Sequence, residues 1–147
     1  MAVLVVEVNS RVVVMDSADG RRLFIPNQQV LREPIENLTH RAVRMSALDL
    51  DVTYATDLDE AARIAVVALD GLDSVRSMPS PVAEVTSFEA SAIRIRLRFW
   101  HPSDLLSEWT AVDEAARAVH RAFAAHGIEF AFPQTTLWWG EDDAPPT

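Results

Sequence analysis

The chain has 147 residues, a formal net charge of −9 and no cysteine. Its length suits one medium domain or two small ones, and the lack of cysteine excludes disulfides, thiolate metal sites and cysteine nucleophiles, as in a reducing compartment. The acidic balance disfavours sequence-independent binding to nucleic acid or to an anionic membrane, because both depend on lysine and arginine.

A small β unit is predicted at the start of the chain, over residues 1–40. Valine-rich or apolar segments predict three strands, expected at residues 2–8, 11–15 and 22–25. Asp19-Gly20 predicts the tight turn before the third strand. Pro26-Asn27 should end that strand and begin a short helical turn, because proline has no amide hydrogen for a ladder.

A second unit is expected over residues 41–131. Its segments follow the order strand, helix, strand, strand, helix, strand, at residues 48–54, 57–71, 82–88, 91–100, 107–126 and 128–132. Asp57 and Glu60 are predicted to form a capping pair at the start of the first of these helices. This order is that of a ferredoxin-like fold with both helices on one face of the sheet, so the fold class is α+β.

The clearest strand, residues 91–100, alternates aliphatic or aromatic residues with arginines. Arg94, Arg96 and Arg98 would form a positive stripe on the open face of the sheet, which could bind an anion or a lipid headgroup. The favoured interpretation is that Asp49 and Asp51, on the neighbouring strand, pair with these arginines.

No chemistry of an enzyme is indicated by the sequence. The four histidines, His40, His101, His120 and His126, include no pair at the i, i+4 spacing of metal ligands on a helix, and we expect ordinary surface or cap histidines. The four glycines are isolated, which excludes a phosphate-binding loop of the usual kinds. We therefore expect no catalytic residue, no metal and no cofactor.

The apolar runs of the chain are short. The longest, residues 2–6 and 64–69, are far below the roughly 18 to 20 residues that cross a bilayer. The first residues also lack the basic segment and long apolar core of a secretory signal. We expect no membrane-spanning segment within this sequence.

The last part of the chain predicts a strand that needs a partner. After Gly127, an aromatic, strand-like run contains a proline and continues into threonines and two tryptophans. An exposed edge strand of this kind promotes aggregation unless copies of it bury one another, although the tryptophans could instead belong to a disordered tail. The expected oligomer interface consists of Phe132, Pro133, Gln134, Thr135, Thr136, Leu137, Trp138 and Trp139. Residues 140–147 are acidic and predicted to be disordered.

Five motifs in order resemble one family. They are the spaced set Val8, Arg11, Met15, Asp19 and Gly20; Ile25-Pro26-Asn27 with Val30, Ile35, Asn37 and Thr39; residues 52–57; residues 91–100; and Phe132-Pro133-Gln134. Together they resemble the cytoplasmic part of MscS-like small-conductance mechanosensitive channels. The chain departs from the family pattern at Val3, Val13, Ser17, Leu38 and Ala131, where a glycine, two threonines, a tyrosine and a proline are usual.

The resemblance implies a homo-oligomer, a heptameric cage below the membrane with openings in its wall. It implies an N-terminally truncated, Sm-like middle β domain at residues 1–40, whose motif residues are Arg11, Asp19, Gly20, Pro26, Asn27 and Asn37. A ferredoxin-like domain at residues 41–131 and a strand of an intersubunit β barrel at residues 132–139 would follow. The membrane-embedded pore helices of the full-length channel are absent here, so this region, on the cytoplasmic side of the cell membrane, would not conduct by itself.

The expected role is therefore that of a vestibule of an osmotic safety valve, acting in oligomer assembly, pore support and solute screening. An alternative from a different class is a soluble ferredoxin-like ligand-binding or regulatory domain, since such folds often bind small molecules at sheet faces or dimer interfaces.

Overall fold

The structure, a computed structural model, describes residues 2–137. The elements are β1 (Val3–Val8), β2 (Val12–Ser17), β3 (Arg22–Pro26), α1 (Asn27–Val30), β4 (Val43–Val52), α2 (Leu58–Ala68), β5 (Val82–Phe88), β6 (Ile93–Pro102) and α3 (Leu105–Ala125). They form two three-stranded antiparallel sheets in a mixed α+β arrangement. Trp138, Trp139 and the predicted disordered tail at residues 140–147 lie outside the described residues.

The first sheet has the order β1-β2-β3, and its three strands agree with those predicted from the valine-rich segments. Gly20 makes the turn between β2 and β3 with a φ of +84°, a conformation that side chains with a Cβ rarely adopt. Its amide donates to the Ser17 carbonyl at 3.0 Å. A bulge between Val5 and Glu7 interrupts the pairing of β1 with β2.

The second sheet has the order β4-β6-β5, so β4 and β5 run parallel to each other on either side of β6. Both long helices cover one face of this sheet. β4 begins at Val43, five residues before the predicted start, because it pairs with β6 as far as Pro102. We name β4–β6 with α2 and α3 the α/β unit, and β1–β3 with α1 the β unit.

The core of the α/β unit lies between the sheet and the two helices. The inward side chains of β6 are nearly or fully buried, and they contact apolar stripes on α2 and α3. The largest fully buried apolar side chains are Phe99, Phe123, Ile95, Leu97, Val52 and Val119. Burying such side chains stabilises the unit by about 1.5 to 3 kcal/mol each before the entropy cost of folding is subtracted.

Aspartates cap both long helices at their N-termini. Asp57 accepts a hydrogen bond from the Glu60 amide at 3.0 Å, and Asp104 accepts one from the Ser107 amide at 2.9 Å. The predicted capping pair is only half formed, because the Glu60 carboxylate binds Arg63 instead of reaching back to the helix start.

The predicted strand at residues 128–132 does not form. Phe130 makes a single antiparallel bridge with Val52, and the chain then leaves the edge of β4. Pro133 has no amide hydrogen for a ladder, and the amide of Gln134 donates to the Ser91 hydroxyl before β6. The segment therefore crosses the end of the sheet instead of extending along its edge.

The prediction of surface or cap histidines is wrong for His101, which has no exposed surface. His101 continues the inward alternation of β6 by one more step, so its ring points toward the helices. Its Nδ1 lies 2.7 Å from the Pro102 carbonyl oxygen and its Nε2 lies 2.8 Å from Ser46 Oγ. His126 does act at a helix end, where its Nδ1 lies 2.8 Å from the Ala122 carbonyl oxygen.

Candidate functional site

The candidate sites on this molecule are surfaces. Within residues 2–137, no group of three or more histidine, aspartate or glutamate side chains could hold a metal ion. No helix in that part of the chain combines the length and the apolar character needed to cross a membrane. Four candidate sites remain among the described residues: the apolar side of the β unit, the charged open face of the second sheet, the terminal segment after α3, and a cleft between the two units.

The motif residues of the β unit hold its turns together. The Asn27 amide donates to the Arg11 carbonyl at 3.0 Å, and Asn27 Nδ2 donates to the Asn9 carbonyl at 2.9 Å. Asn9 Oδ1 in turn accepts from the Arg11 amide at 3.0 Å. The end of β3, where Pro26 precedes α1, is thereby tied to the turn between β1 and β2.

The other motif residues make local turns. Asp19 accepts a hydrogen bond from the Ser17 hydroxyl and pairs with Arg21 at 2.6 Å, so it closes the turn in which Gly20 adopts its positive φ. Asn37 Oδ1 accepts from the Thr39 amide at 3.1 Å in the link to β4. These contacts are structural, and they leave the apolar side chains around them without a covering element.

The β unit exposes an apolar groove. It has a volume of about 390 Å³ and is lined by Val5, Val8, Val13, Met15, Asn27, Val30, Leu31 and Ile35. Val8 is 67% exposed and Leu31 82% exposed, although both are large and apolar. β1 is an edge strand that pairs with β2 alone among the described strands. The unit thus combines a free strand edge with an uncovered apolar surface.

One polar atom in the groove wall lacks a partner. Asn27 Oδ1 is buried and accepts no hydrogen bond within the described residues. A buried acceptor without a donor is costly, so this atom lowers the stability of the isolated β unit.

The open face of the second sheet carries a ladder of ion pairs. Arg94 donates to both carboxylate oxygens of Asp51 at 2.7 and 2.9 Å, and Arg96 donates to both of Asp49 at 2.6 and 2.9 Å. Arg98 pairs with Glu84 on β5. The predicted pairing of Asp49 and Asp51 with this row of arginines is confirmed. Glu84 was not predicted as a partner of Arg98, which it reaches diagonally across the β5–β6 pair.

These ion pairs shift the pKa values of the side chains that form them. The hydrogen bonds from Arg96 lower the pKa of Asp49, and those from Arg94 lower the pKa of Asp51. The pKa of Arg94 is raised by the same contacts with Asp51. The arginine row is therefore neutralised, which disfavours the anion or lipid-headgroup site considered from the sequence.

The terminal segment begins with an anchored part. The Ala131 amide donates to the Asp51 carbonyl at 2.8 Å, and the Thr53 amide donates to the Glu129 carbonyl at 3.4 Å. The Phe130 ring packs on Phe123 with a centroid separation of 5.3 Å and lies nearly parallel to His120 at 6.2 Å. Sequence reasoning missed this anchor, although Phe130 was placed in an aromatic run.

Beyond the anchor the chain is exposed. Phe132 is 75% exposed and Leu137 67% exposed, and no strand includes residues 132–137. The structure thus leaves the described part of the predicted oligomer interface accessible. Trp138 and Trp139, the two remaining residues of that interface, lie outside the described residues.

A cleft of about 400 Å³ lies between the two units. Its walls include Leu4 from β1, Leu38 from the link, and Leu105 and Leu106 from the start of α3. Near it, Arg44 pairs with Glu108 at 2.9 Å, and both side chains are half-buried. Sequence reasoning did not find this pair, since 64 residues separate its members along the chain.

Two protein-family models match the sequence of this chain. Residues 2–40 match the family described as mechanosensitive ion channel, beta-domain, and residues 47–130 match the one described as mechanosensitive ion channel MscS, C-terminal. The chain belongs to the MscS family of mechanosensitive ion channels. Both descriptions are of channels and not of enzymes.

Curated relatives agree with this membership. The MscS-family chain is 27% identical over 143 residues to an uncharacterized MscS family protein of Archaeoglobus fulgidus, covering 97% of this chain and 50% of that protein. It is 24% identical over 142 residues to the small-conductance mechanosensitive channel MscMJ of Methanocaldococcus jannaschii, covering 95% of this chain and 41% of that one. The chain therefore spans half or less of the length of these relatives.

Solved structures share the fold. A crystal structure of Helicobacter pylori MscS in a closed state matches with a TM-score of 0.83 and 20% identity, over 93% of this chain and 54% of that one. A cryo-EM structure of Arabidopsis thaliana MSL1 matches with a TM-score of 0.68 and 16% identity, over 88% and 48% of the two chains. At these identities the likeness establishes the fold.

Proposed function

We propose that this MscS-family chain is the cytoplasmic vestibule of a mechanosensitive channel that acts as an osmotic safety valve. It assembles as a homo-oligomer, a ring of about seven copies, which supports the membrane-embedded pore helices of the full-length channel and screens solutes through openings in its wall. The described chain does not itself conduct. Its β unit is the Sm-like middle domain, and its α/β unit is a ferredoxin-like domain.

The observation that carries this proposal is the position of two uncovered apolar surfaces at opposite ends of the α/β unit. The link from the β unit enters β4 at Val43, and the terminal segment is held near Val52 at the other end of the same strand. Ten residues of strand extend about 33 Å. The β unit and the terminal segment are therefore well separated, as a cage with a roof and a base requires.

Assembly accounts for both surfaces. Contiguous exposed apolar side chains mark interaction sites on soluble proteins, and a free strand edge needs a partner for its backbone groups. Two different surfaces on one chain allow head-to-tail contacts, which close into a ring when the rotation fits. The groove beside β1 and the exposed residues 132–137 supply such surfaces.

At the base, residues 132–139 form one strand per copy of an intersubunit parallel β barrel. Pro133 lies at the start of this strand, where a missing amide hydrogen costs least. A barrel closed by rotational symmetry has no free edge and encloses its apolar side chains. Such closure satisfies backbone groups that a single exposed strand leaves unpaired.

Native mass spectrometry and sedimentation of two variants test the proposal. Deleting the chain from Phe132 onward, or changing Trp138 and Trp139 together to serine, should lower the subunit number or the stability of the oligomer. The α/β unit should remain folded by circular dichroism. If the truncated chain forms the same ring with the same dissociation on dilution, the barrel is wrong. If the unmodified chain is a monomer at all concentrations, the vestibule proposal is wrong.

The cleft between the two units favours a second candidate, a soluble ligand-binding or regulatory domain. Its volume of about 400 Å³ and its mainly apolar walls are those of a small-molecule pocket. A monomer or dimer whose melting temperature rises with an added metabolite would support this candidate over the vestibule.

A further inference from the structure

We propose that residues 129–134 form a strap across the end of the α/β unit, and that Phe130 is the positioning residue that seats it. The strap fixes the place and direction in which residues 135–137 leave the molecule, and thereby prepares the terminal segment for pairing with other copies. This inference rests on the assembly proposed above and names the residue that prepares it.

The backbone of the strap is held at two places. On the β4 side, the Ala131 amide donates to the Asp51 carbonyl at 2.8 Å, and the Thr53 amide donates to the Glu129 carbonyl at 3.4 Å. On the β6 side, the Gln134 amide donates to Ser91 Oγ at 3.4 Å. Since the end of β4 pairs with the start of β6, these two places adjoin the same end of the sheet.

The Phe130 side chain joins the strap to the core. Its ring contacts Phe123, which has no exposed surface and belongs to the apolar core between the sheet and α3. On α3, the imidazole of His120 lies nearly parallel to the Phe130 ring, with an interplanar angle of 9°. Offset-stacked and tilted ring contacts at these separations are favourable beyond the burial of area.

The physical effect of the strap is preorganisation. A segment that leaves from a fixed point loses less conformational freedom when it pairs with its copies than one tethered only at Gly127, just after α3. Without these contacts, the seven residues from Ile128 to Gln134 would be a flexible linker. Phe130 therefore acts on assembly without being part of the exposed interface, which begins at Phe132.

The test compares Phe130→Ala with the matched control Phe88→Ala, whose side chain is 69% exposed on β5. Amide exchange at Ala131 and the concentration at which the oligomer dissociates are measured for each variant by mass spectrometry. In Phe130→Ala, both exchange and dissociation concentration should rise about tenfold or more, and neither should change in Phe88→Ala. Phe130→Tyr, which retains an aromatic ring, should restore both towards their original values.

A second pair of variants tests the strap in case Phe130→Ala does not fold. His120 is exposed on α3, so His120→Ala removes the stacking partner while the core remains intact, and His120→Phe keeps an aromatic ring there. The strap predicts a higher dissociation concentration for His120→Ala and near-original values for His120→Phe.

The outcomes separate this inference from the function on which it rests. Suppose that the unmodified protein assembles and that Phe130→Ala, or both His120 variants, assemble as well as it does. That result overturns the strap and leaves the vestibule proposal intact. Unmodified protein that does not assemble overturns both. Weakened assembly with unchanged exchange at Ala131 also overturns the strap, because the backbone would then be held without Phe130.

Discussion

Asp51 on β4 and Arg94 on β6 lie directly opposite each other, and their side chains share two hydrogen bonds on the open face of the sheet. Two residues further along each strand, Asp49 and Arg96 repeat the arrangement. The pairing is thus direct across the strands and not diagonal. A slip of β4 by one residue would turn these aspartates toward the core, so the ladder also favours the observed register.

A double-mutant cycle should detect this pairing. Asp51→Asn with Arg94→Gln should show a small favourable coupling in the free energy of unfolding, and the coupling should weaken in high salt because both side chains are partly exposed. Asp51→Asn with Arg96→Gln is the matched control and should show less coupling. Equal coupling in the two cycles would contradict direct pairing.

The stability of the ladder should depend on pH at the acidic end. Arginine hydrogen bonds lower the pKa of Asp49 and Asp51 in the folded state, so their contribution is present above the unfolded pKa of about 3.9 and is lost as the pH falls through the folded values. The unfolding free energy of the original chain should exceed that of Asp49→Asn/Asp51→Asn by its largest amount at pH 6. This difference should shrink as the pH falls below about 4. Denaturant titrations across this range measure it, and a difference independent of pH would count against the ion pairs.

Ser46 should contribute measurably to the free energy of unfolding, although its side chain is small. The Pro102 carbonyl can only accept, so His101 carries its hydrogen on Nδ1 and its Nε2 accepts from the Ser46 hydroxyl. Ser46→Ala leaves that buried nitrogen without a partner, at a cost of about 1 to 3 kcal/mol in unfolding free energy. Urea denaturation measures the cost, with Ser10→Ala, in the exposed turn between β1 and β2, as the control. A cost for Ser46→Ala no greater than that of the control would show that the hydrogen bond is dispensable.

Assembly should protect the backbone amides of the β unit from hydrogen exchange. Among the described residues no strand or helix of this unit packs against one of the α/β unit, and β1 has a free edge. Amide exchange in residues 3–15 should therefore be strongly slowed in the assembled form and faster after dilution to the monomer. The same slow exchange in a demonstrated monomer would show that the unit is complete by itself.

Local patterns were sufficient to predict most of the elements. β5 matches its predicted bounds, and strict alternation placed the arginines of β6 on one face and its aliphatic residues on the other. The first residues of β4 were missed, because Arg44 and Ser46 interrupt the apolar face there. Both polar residues are accommodated by partners far along the chain, Glu108 and His101, which no local pattern reveals.

The terminal segment shows where local propensity fails. Residues 128–132 have the composition of a strand, but Phe130 finds an aromatic contact on α3 and the chain turns across the end of the sheet. Tertiary contacts decide between these outcomes. In the expected oligomer interface, Phe132 and Leu137 are exposed, and the interface itself stays a prediction. The anchor that precedes them depends on packing against α3, which no local pattern reveals.

The separation of the link and the strap by the length of β4 determines how the α/β unit would respond to a pull. A force applied to the β unit and to the terminal segment enters at Val43 and leaves beside Val52, so it acts along the strand axis. The bonds that join β4 to β6 are perpendicular to that axis. The tension therefore passes along the backbone of β4 and does not pull those bonds apart one at a time from an end, so the second sheet acts as a stiff bar between its two attachments.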